Sequence, residues 1–498
     1  MTTSYLRIEA VNIANFIEDT EQLSTIRGGG LLLLEAIRGF KKKFIAEHPE
    51  YTLKEISTGA SVGLFKLTAD KSKDIRKLID EFIRKDSRFC YATFVVDIIA
   101  ADDENFRNQL EKVIARNRWR QYQQPTLISP QWNKEPDITE CYFDRLRPAT
   151  KDIEIRRDKV SLPVKTRHDY GRDQKHGFCK KELKHCLEKE ITDKFTHDLE
   201  KLTTNISCKT LQHKMAVIYA DGNSFGKLQQ KFCKTQKTQK EFDDYLGKKR
   251  AEFLSDLLDI ARKDDNFSIT DDKPKKLLQI ETLMWGGDEL LLAVPAWQGW
   301  RTLALLYKHI KTWEFKETPL YHGAGIVFCH HNAPIHRITK LAKELAERAK
   351  DRDRTKNLFQ YCVLESFDYI SQNLDHYRQD QFPGDLAAVP FSLDAEQIAI
   401  IQEPFKQLKE TFPRRKAHSL ARAAVIDGRN GNNILFAKEE KRTREVVEQA
   451  GLKAADILAK KQFFNNAISD DKWPPGMWIH ICELWDYICP PGNNGGAI

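Results

Sequence analysis

No apolar run in this chain is long enough for a membrane span. The longest near its start, Leu31 to Leu34, falls far short of the roughly 18 to 20 residues that cross a bilayer. The first thirty residues carry Glu9, Glu18, Asp19 and Glu21 and no basic stretch leading into an apolar one, so no secretory signal is expected. Cysteine is sparse and scattered, 10 in 498 residues, which argues against a disulfide framework and suits reduced thiols packed as small hydrophobes. Neither charge dominates: 80 Lys plus Arg against 72 Asp plus Glu leaves +8, too dilute to mark a nucleic-acid binder and a prior only for anionic ligands. With 41% hydrophobic residues, 24 Gly and 18 Pro, disorder and low-complexity scaffolds are excluded. The expectation is a cytoplasmic chain of roughly three folding units, at about 150 residues each.

Hydrophobic periodicity divides the chain. Residues 1–120 read as strand (5–14), helix (31–44), hairpin (51–67), helix (71–85), strand (89–99) and helix (105–118). Arg27, Gly28, Gly29 and Gly30 fall in the loop before the first helix. Residues 121–205 lose their period and read as a basic connector bearing Cys and His. Residues 206–380 repeat the first pattern, with strands at 214–220, 277–285, 290–294, 321–329 and 359–364 and helices at 239–261, 299–313 and 335–350. Residues 381–498 are helix-patterned at 393–412, 417–424, 438–464 and 477–487.

Two acidic motifs carry chemistry. In IYADGNSFGK an apolar strand ends on Asp221 and is followed by Gly222, Asn223, Ser224, Phe225 and Gly226. A carboxylate at a strand end, beside small residues that admit a ligand to the backbone, suits a cation and a triphosphate, although an Asx turn capping a helix would look the same. In LMWGGDELLLAV, Gly286 and Gly287 allow a tight hairpin that leaves Asp288 and Glu289 at its tip. Either motif alone could be a solvated turn. On neighbouring strands their three carboxylates can converge on two divalent ions, as an in-line phosphoryl displacement requires.

Together these motifs resemble the nucleotidyl cyclase/polymerase palm shared by GGDEF diguanylate cyclases and the large Cas-ten-like subunit of type III CRISPR complexes, the latter being the nearer match. The stretch YLRIEAVNIANFIEDTEQLSTIRGGGLLLLEAI resembles the first, non-catalytic palm of that subunit. The connector also resembles that family's, with a basic arm of Val164, Arg167, Gly171, Arg172 and Lys175. The implied fold class is α+β: two ferredoxin-like palm domains of the GGDEF/polymerase type, a small connector and a C-terminal helical domain. The resemblance implies that Asp221, Asp288 and Glu289 are catalytic and, with the carbonyl of Gly222, hold two Mg²⁺ or Mn²⁺ ions. It points to Lys350 in ELAERAKDRDRTKN as the lysine that meets the triphosphate, with Lys356 and Asn357 next. The implied function is to join NTPs, ATP first, into a cyclic di- or oligonucleotide second messenger with release of pyrophosphate, in antiviral defence. Its implied partners are an activating RNA or protein and an effector that binds the product. The alternative is an RNA-binding scaffold or regulatory subunit of a CRISPR-like complex.

The departures are informative. Glu289 stands where many members of that family have Asp, which keeps the charge and lengthens the reach. The first palm has Ser57 to Ser61 in place of an acidic turn and Asn12 after its first strand, so it is expected to face the second palm without catalysing, with Arg27 and Gly28 to Gly30 near phosphate at a helix N-terminus. Close packing of helix on strand would explain those glycines equally. No His-Asp pair precedes the first palm, so DNA cleavage is not expected. Only Cys141 precedes Arg147-Pro148-Ala149, and with His176, Cys179, His185 and Cys186 it fits no standard zinc spacing; structural zinc is the less favoured reading. His330 and His331, adjacent at a strand end, are expected to point in opposite directions.

Overall fold

The computed structural model describes residues 2–59, 61–69, 74–89, 91–125, 139–270, 276–365, 373–384, 386, 393–449 and 473–490. The first unit runs β1 (Thr2–Val11), α1 (Leu23–Glu47), β2 (Thr52–Ser57), β3 (Val62–Ala69), α2 (Ile75–Lys85), β4 (Thr93–Ala100) and α3 (Phe106–Tyr122). Its strands form an antiparallel sheet in the order β2-β3-β1-β4, the ferredoxin-like arrangement. β1 is buried from Tyr5 to Val11 because both its faces are covered. Leu6, Ile8 and Ala10 share a core with Ile26, Leu33 and Ile37 of α1, while Tyr5 meets Phe106, Leu110 and Val113 of α3. The alternation that would mark a half-exposed strand is therefore lost. The expected strand at 89–99 begins later, at Thr93, and its Cys90 lies outside the described residues.

The connector differs most from expectation. It contains α4 (Leu162–Leu187), a helix of 26 residues, which buries charged side chains, Arg167, Lys175 and Glu182 among them, and so shows no apolar stripe. It packs directly on α1. A methyl group at Gly28 would lie 1.8 Å from the Arg167 carbonyl oxygen, and one at Gly171 would lie 2.0 Å from that of Ser24. Gly28, Gly29 and Gly30 thus lie within α1, which begins at Leu23, and not in a loop before it. Gly28 serves helix-on-helix contact, whereas a methyl at Gly30 would lie 3.3 Å from the Leu283 carbonyl oxygen on a strand, the helix-on-strand packing that the sequence also allowed. Cys141 and Cys179 sit in separate apolar clusters.

The second unit repeats the first: β5 (Lys214–Gly222), α5 (Phe225–Phe232), α6 (Gln236–Lys263), β6 (Glu281–Gly286), β7 (Glu289–Pro295), α7 (Ala296–Ile310), β8 (His322–His330), α8 (Ile335–Arg352) and β9 (Leu358–Val363). Its sheet order, β6-β7-β5-β8-β9, matches the first over four strands and adds β9 parallel to β8, with Leu393–Asp394 beyond it. Central β5 contributes Ala216, Ile218 and Ala220 to one core and Met215, Val217 and Tyr219 to the other, which it shares with the first unit. The chain is a double-palm α+β protein. Helices Ala395–Thr411, Arg414–Asn430, Ile434–Gln449 and Pro475–Leu484 follow, and Trp478 stacks near Phe412 at 5.0 Å between ring centroids. Residues 450–464 of the expected helix 438–464 lie outside the described residues.

Candidate active site

The site forms where the β6–β7 hairpin meets the end of β5. β7 pairs with β5 in the register Leu290↔Ala220, which brings the hairpin tip level with Asp221. Gly286 pairs with Glu289, so the turn is Gly287-Asp288 alone, and Gly287 takes the positive φ of 58° that so tight a hairpin needs. Gly222 has a separate duty. A methyl group there would fall 2.7 Å from the Phe225 ring and 2.9 Å from Asp288 Cβ, so only glycine lets the acidic turn approach the strand end. Ser224 adopts a left-handed backbone (φ 58°) at the start of α5, and Phe225 turns inward against Phe242 and His322.

Charge is concentrated here. Burial first, and then Asp221 and Glu289, push the Asp288 carboxyl up to about 7. Glu289 is also raised, by burial and by Asp221; it accepts a hydrogen bond from the Tyr219 hydroxyl at 3.1 Å. Lys350, 6% exposed, reaches in from α8 and contacts Asp221 Oδ2 at 2.5 Å and Glu347 at 2.6 Å. Burial works against its charge, but these two carboxylates more than compensate, and its pKa lies above the ordinary lysine value. Behind the site His322 is neutral, pushed down to about 3 by burial and then by Arg250 and Lys350.

The remaining predicted residues divide by role. The Asn223 amide donates to the Lys356 carbonyl at 3.1 Å, and the Asn357 side chain accepts from the His322 amide at 2.9 Å. These contacts fasten the strand ends together. The exposed Lys356 ammonium lies 3.8 Å from Asp353, and Gly226 has nothing within 4 Å of where a methyl would stand. Arg27 is placed elsewhere. It is 2% exposed, bonded to Glu281 at 2.8 Å through Nη2 and to the Gly171 carbonyl at 2.9 Å, in the seam between α1, α4 and β6. His330 and His331 also depart from expectation, with rings 4.5 Å apart and both near His213. Strand alternation does not govern them because β8 ends at His330.

Two participants were not singled out from the sequence. Tyr219 lies two residues before Asp221 and so on the same strand face, and Glu347 lies three before Lys350 on the same helix face; the spacing would have found both. The first unit meets the site through its own hairpin. The Thr58 amide donates to Asp243 of α6 at 3.0 Å, and a methyl at Gly59 would stand 3.9 Å from Gly287 Cα. The tips of the two hairpins therefore abut. Among the described residues no three His, Cys, Asp or Glu side chains are grouped as a ready cation cage.

Paired ferredoxin-like sheets, with an acidic hairpin turn facing a carboxylate at a strand end, define a double-palm protein. Residues 185–359 match the family model described as Cas10/Cmr2, second palm domain. No curated protein matches the chain. Among solved structures, the chain resembles Csm1 in T. onnurineus (12% identity, TM-score 0.57, covering 98% of this chain and 70% of that one). It also resembles a Csm1–Csm4 cassette in complex with cA3 (12%, TM-score 0.53, 98% and 70%) and one in complex with pppApA (11%, TM-score 0.54, 98% and 69%). At such identities the likeness is one of fold. The chain is therefore a double-palm protein in which residues 185–359 are similar to the Cas10/Cmr2 second palm domain.

Proposed function

We propose that this protein is a metal-dependent nucleotidyl cyclase, which joins NTPs, ATP first, into a cyclic di- or oligonucleotide. The observation that carries the reading is the approach of the Gly287-Asp288 turn to the Asp221 strand end, with Lys350 bridging from α8. The match of residues 185–359 to a Cas10/Cmr2 second palm supports it, as does the fold likeness to Csm1 cassettes solved with cA3 and pppApA. The same likeness supports a signalling role in type III CRISPR defence, with a Csm4-like protein partner and a downstream effector for the product. No helix among the described residues is long and apolar enough to cross a membrane.

Asp221, Asp288 and Glu289, with the Gly222 carbonyl, are the residues that would hold Mg²⁺ or Mn²⁺. The donors are hard oxygens, and the raised Asp288 and Glu289 record a negative charge that the protein alone leaves uncompensated. A ready cage is not required, because Mg²⁺ is usually bound by one or two carboxylates completed by substrate phosphates and water. When bound, such ions neutralise phosphate charge and activate a hydroxyl. In the reaction the 3′-hydroxyl oxygen of one nucleotide forms a bond to the α-phosphorus of the next as the bond to pyrophosphate breaks, and the hydroxyl proton passes to water. Lys350 exchanges Asp221 for the triphosphate as counter-charge. Tyr219 is no base, since burial and Glu289 hold its hydroxyl protonated far above neutrality; it orients Glu289. The first palm, with its hairpin tip against Gly287, forms the opposite wall for the second nucleotide.

The test is incubation of purified protein with each NTP and Mg²⁺ or Mn²⁺, with products identified by mass spectrometry and Asp288→Ala run in parallel. A cyclic adenylate from the wild type alone is expected. No product from the wild type, with or without added RNA, would remove the cyclase reading, and equal product from the variant would remove the assigned site.

A further inference from the structure

We propose that the cavity between the first turn of α1 and the connector helix α4 is a binding site for an oligophosphate, separate from the palm turn. The cavity, about 440 Å³, is walled by cations from three segments: Arg27 of α1, Arg156 before α4, and Lys165, Arg172 and Lys175 of α4. Glu154 and Asp198 are the carboxylates among its lining residues. At the buried end, Arg27 and Lys175 share a single counter-charge, Glu281, with Lys175 Nζ 2.7 Å from it. Two cations against one ion-paired carboxylate, with Asp198 a lesser influence on Lys175, leave an excess positive charge at that end. Burial is costly for that charge: together with Arg27 it holds the Lys175 pKa below the ordinary lysine value in spite of Glu281. The Lys175 ammonium has three donors, and among the described residues Glu281 is its one hydrogen-bond partner.

At the open end, exposed Arg156 and Arg172 form no ion pair among the described residues. Cations at the floor and at the rim of one cavity suit an anion that carries charge along its length, as pyrophosphate, triphosphate or the phosphate tail of a nucleotide does. Guanidinium groups bind phosphate in fork geometry. Among the described residues, the only rings lining the cavity are those of His168, His176 and His197, so the cationic side chains, and through them the phosphates, carry the recognition. Glu281 opens β6, whose other end is Gly286 beside the acidic turn, and at about 3.3 Å per residue the two places lie roughly 17 Å apart.

The experiment is calorimetric titration of the full chain with inorganic triphosphate, ATP and AMP in EDTA, where the uncompensated palm carboxylates repel phosphate. Wild type and Asp288→Ala are expected to bind triphosphate and ATP alike and AMP at least about tenfold more weakly. Arg156→Glu/Arg172→Glu, with both changes on exposed side chains and melting checked against the wild type, is expected to lose at least about tenfold in affinity for triphosphate. Undiminished binding by that variant, loss of binding in Asp288→Ala, binding of ATP without triphosphate, or no binding by the wild type would each overturn the proposal.

Discussion

Replacing Asp288 by asparagine is expected to stabilise the metal-free protein while abolishing product formation in the proposed reaction. Folding moves this carboxyl from its ordinary 3.8 to about 7, through burial first and then the neighbouring Asp221 and Glu289. At 1.36 kcal/mol per pH unit, ionising it in the folded state costs about 4 kcal/mol. The turn is only partly buried, so solvent screens part of this cost, and about 2 kcal/mol is the figure to expect. The sign follows from linkage. A carboxyl raised on folding favours the folded state at low pH, and that contribution is lost as pH rises from about 4 through about 7. Asparagine cannot ionise, so the gain of Asp288→Asn over the wild type grows across that window and levels above it. For a unit of this size 2 kcal/mol corresponds to a melting shift of about 4 to 8 °C. Thermal melts in EDTA at pH 4.5 and 8, followed by tryptophan fluorescence, measure it. Adding Mg²⁺ should stabilise the wild type more and narrow the gap. A variant no more stable than the wild type at pH 8, or equally favoured at both pH values, would refute the argument that burial and the neighbouring carboxylates make ionised Asp288 costly in the folded state.

Lys350→Met leaves Asp221 without its counter-charge and, on the proposed role, the triphosphate without a donor; product formation should show an apparent KM for NTP raised about tenfold or more. An unchanged KM in steady-state assays would exclude that contact. Gly28→Ala should cost about 3 kcal/mol or more, since its methyl would lie 1.8 Å from the Arg167 carbonyl oxygen. Gly226→Ala, with nothing within 4 Å and a position in α5, should be neutral or gain up to about 1 kcal/mol; urea melts of the pair test whether the two glycines differ as the packing says. Glu483, raised to about 7 by burial and bonded to the Tyr361 hydroxyl at 2.9 Å, favours the folded state below about pH 4.5, and that contribution is lost as pH rises through 7. Glu483→Gln should therefore gain stability over the wild type with rising pH up to about 7, and a difference in melting temperature that does not change with pH would count against it.

Much of the architecture was legible because local pattern and tertiary structure agree. Most of the second unit's strands and helices follow their periodicity, since each packs one face on a common sheet, but the expected strand 277–285 divides into Lys276–Leu278, in a separate three-stranded sheet, and Glu281–Gly286. The acidic turn was legible too: two glycines between apolar runs can make little but a tight hairpin, and register alone then carries Asp288 toward Asp221. The connector helix was not legible. Leu162–Leu187 buries Arg167, Lys175 and Glu182 against Asp19, Glu281 and Arg38, about 100 or more residues away in sequence, and a helix held by ion pairs and glycine contacts has no apolar stripe to read.

The sequence by itself determined which residues could do chemistry, because carboxylates at a strand end and in a glycine turn are covalent facts of spacing. It also determined the repeated order of strands and helices. Only the tertiary structure decided the use of the remaining candidates. Arg27, flanked by glycines, reads as a ligand of the palm's nucleotide until Glu281, 254 residues away, fixes it at the floor of a different cavity. Lys350, in a stretch crowded with charge, reads as a solvated helix face until α8 lays it against Asp221. A side chain's type and neighbours in sequence set what it can bind, whereas burial and the charge brought beside it by folding set what it does bind.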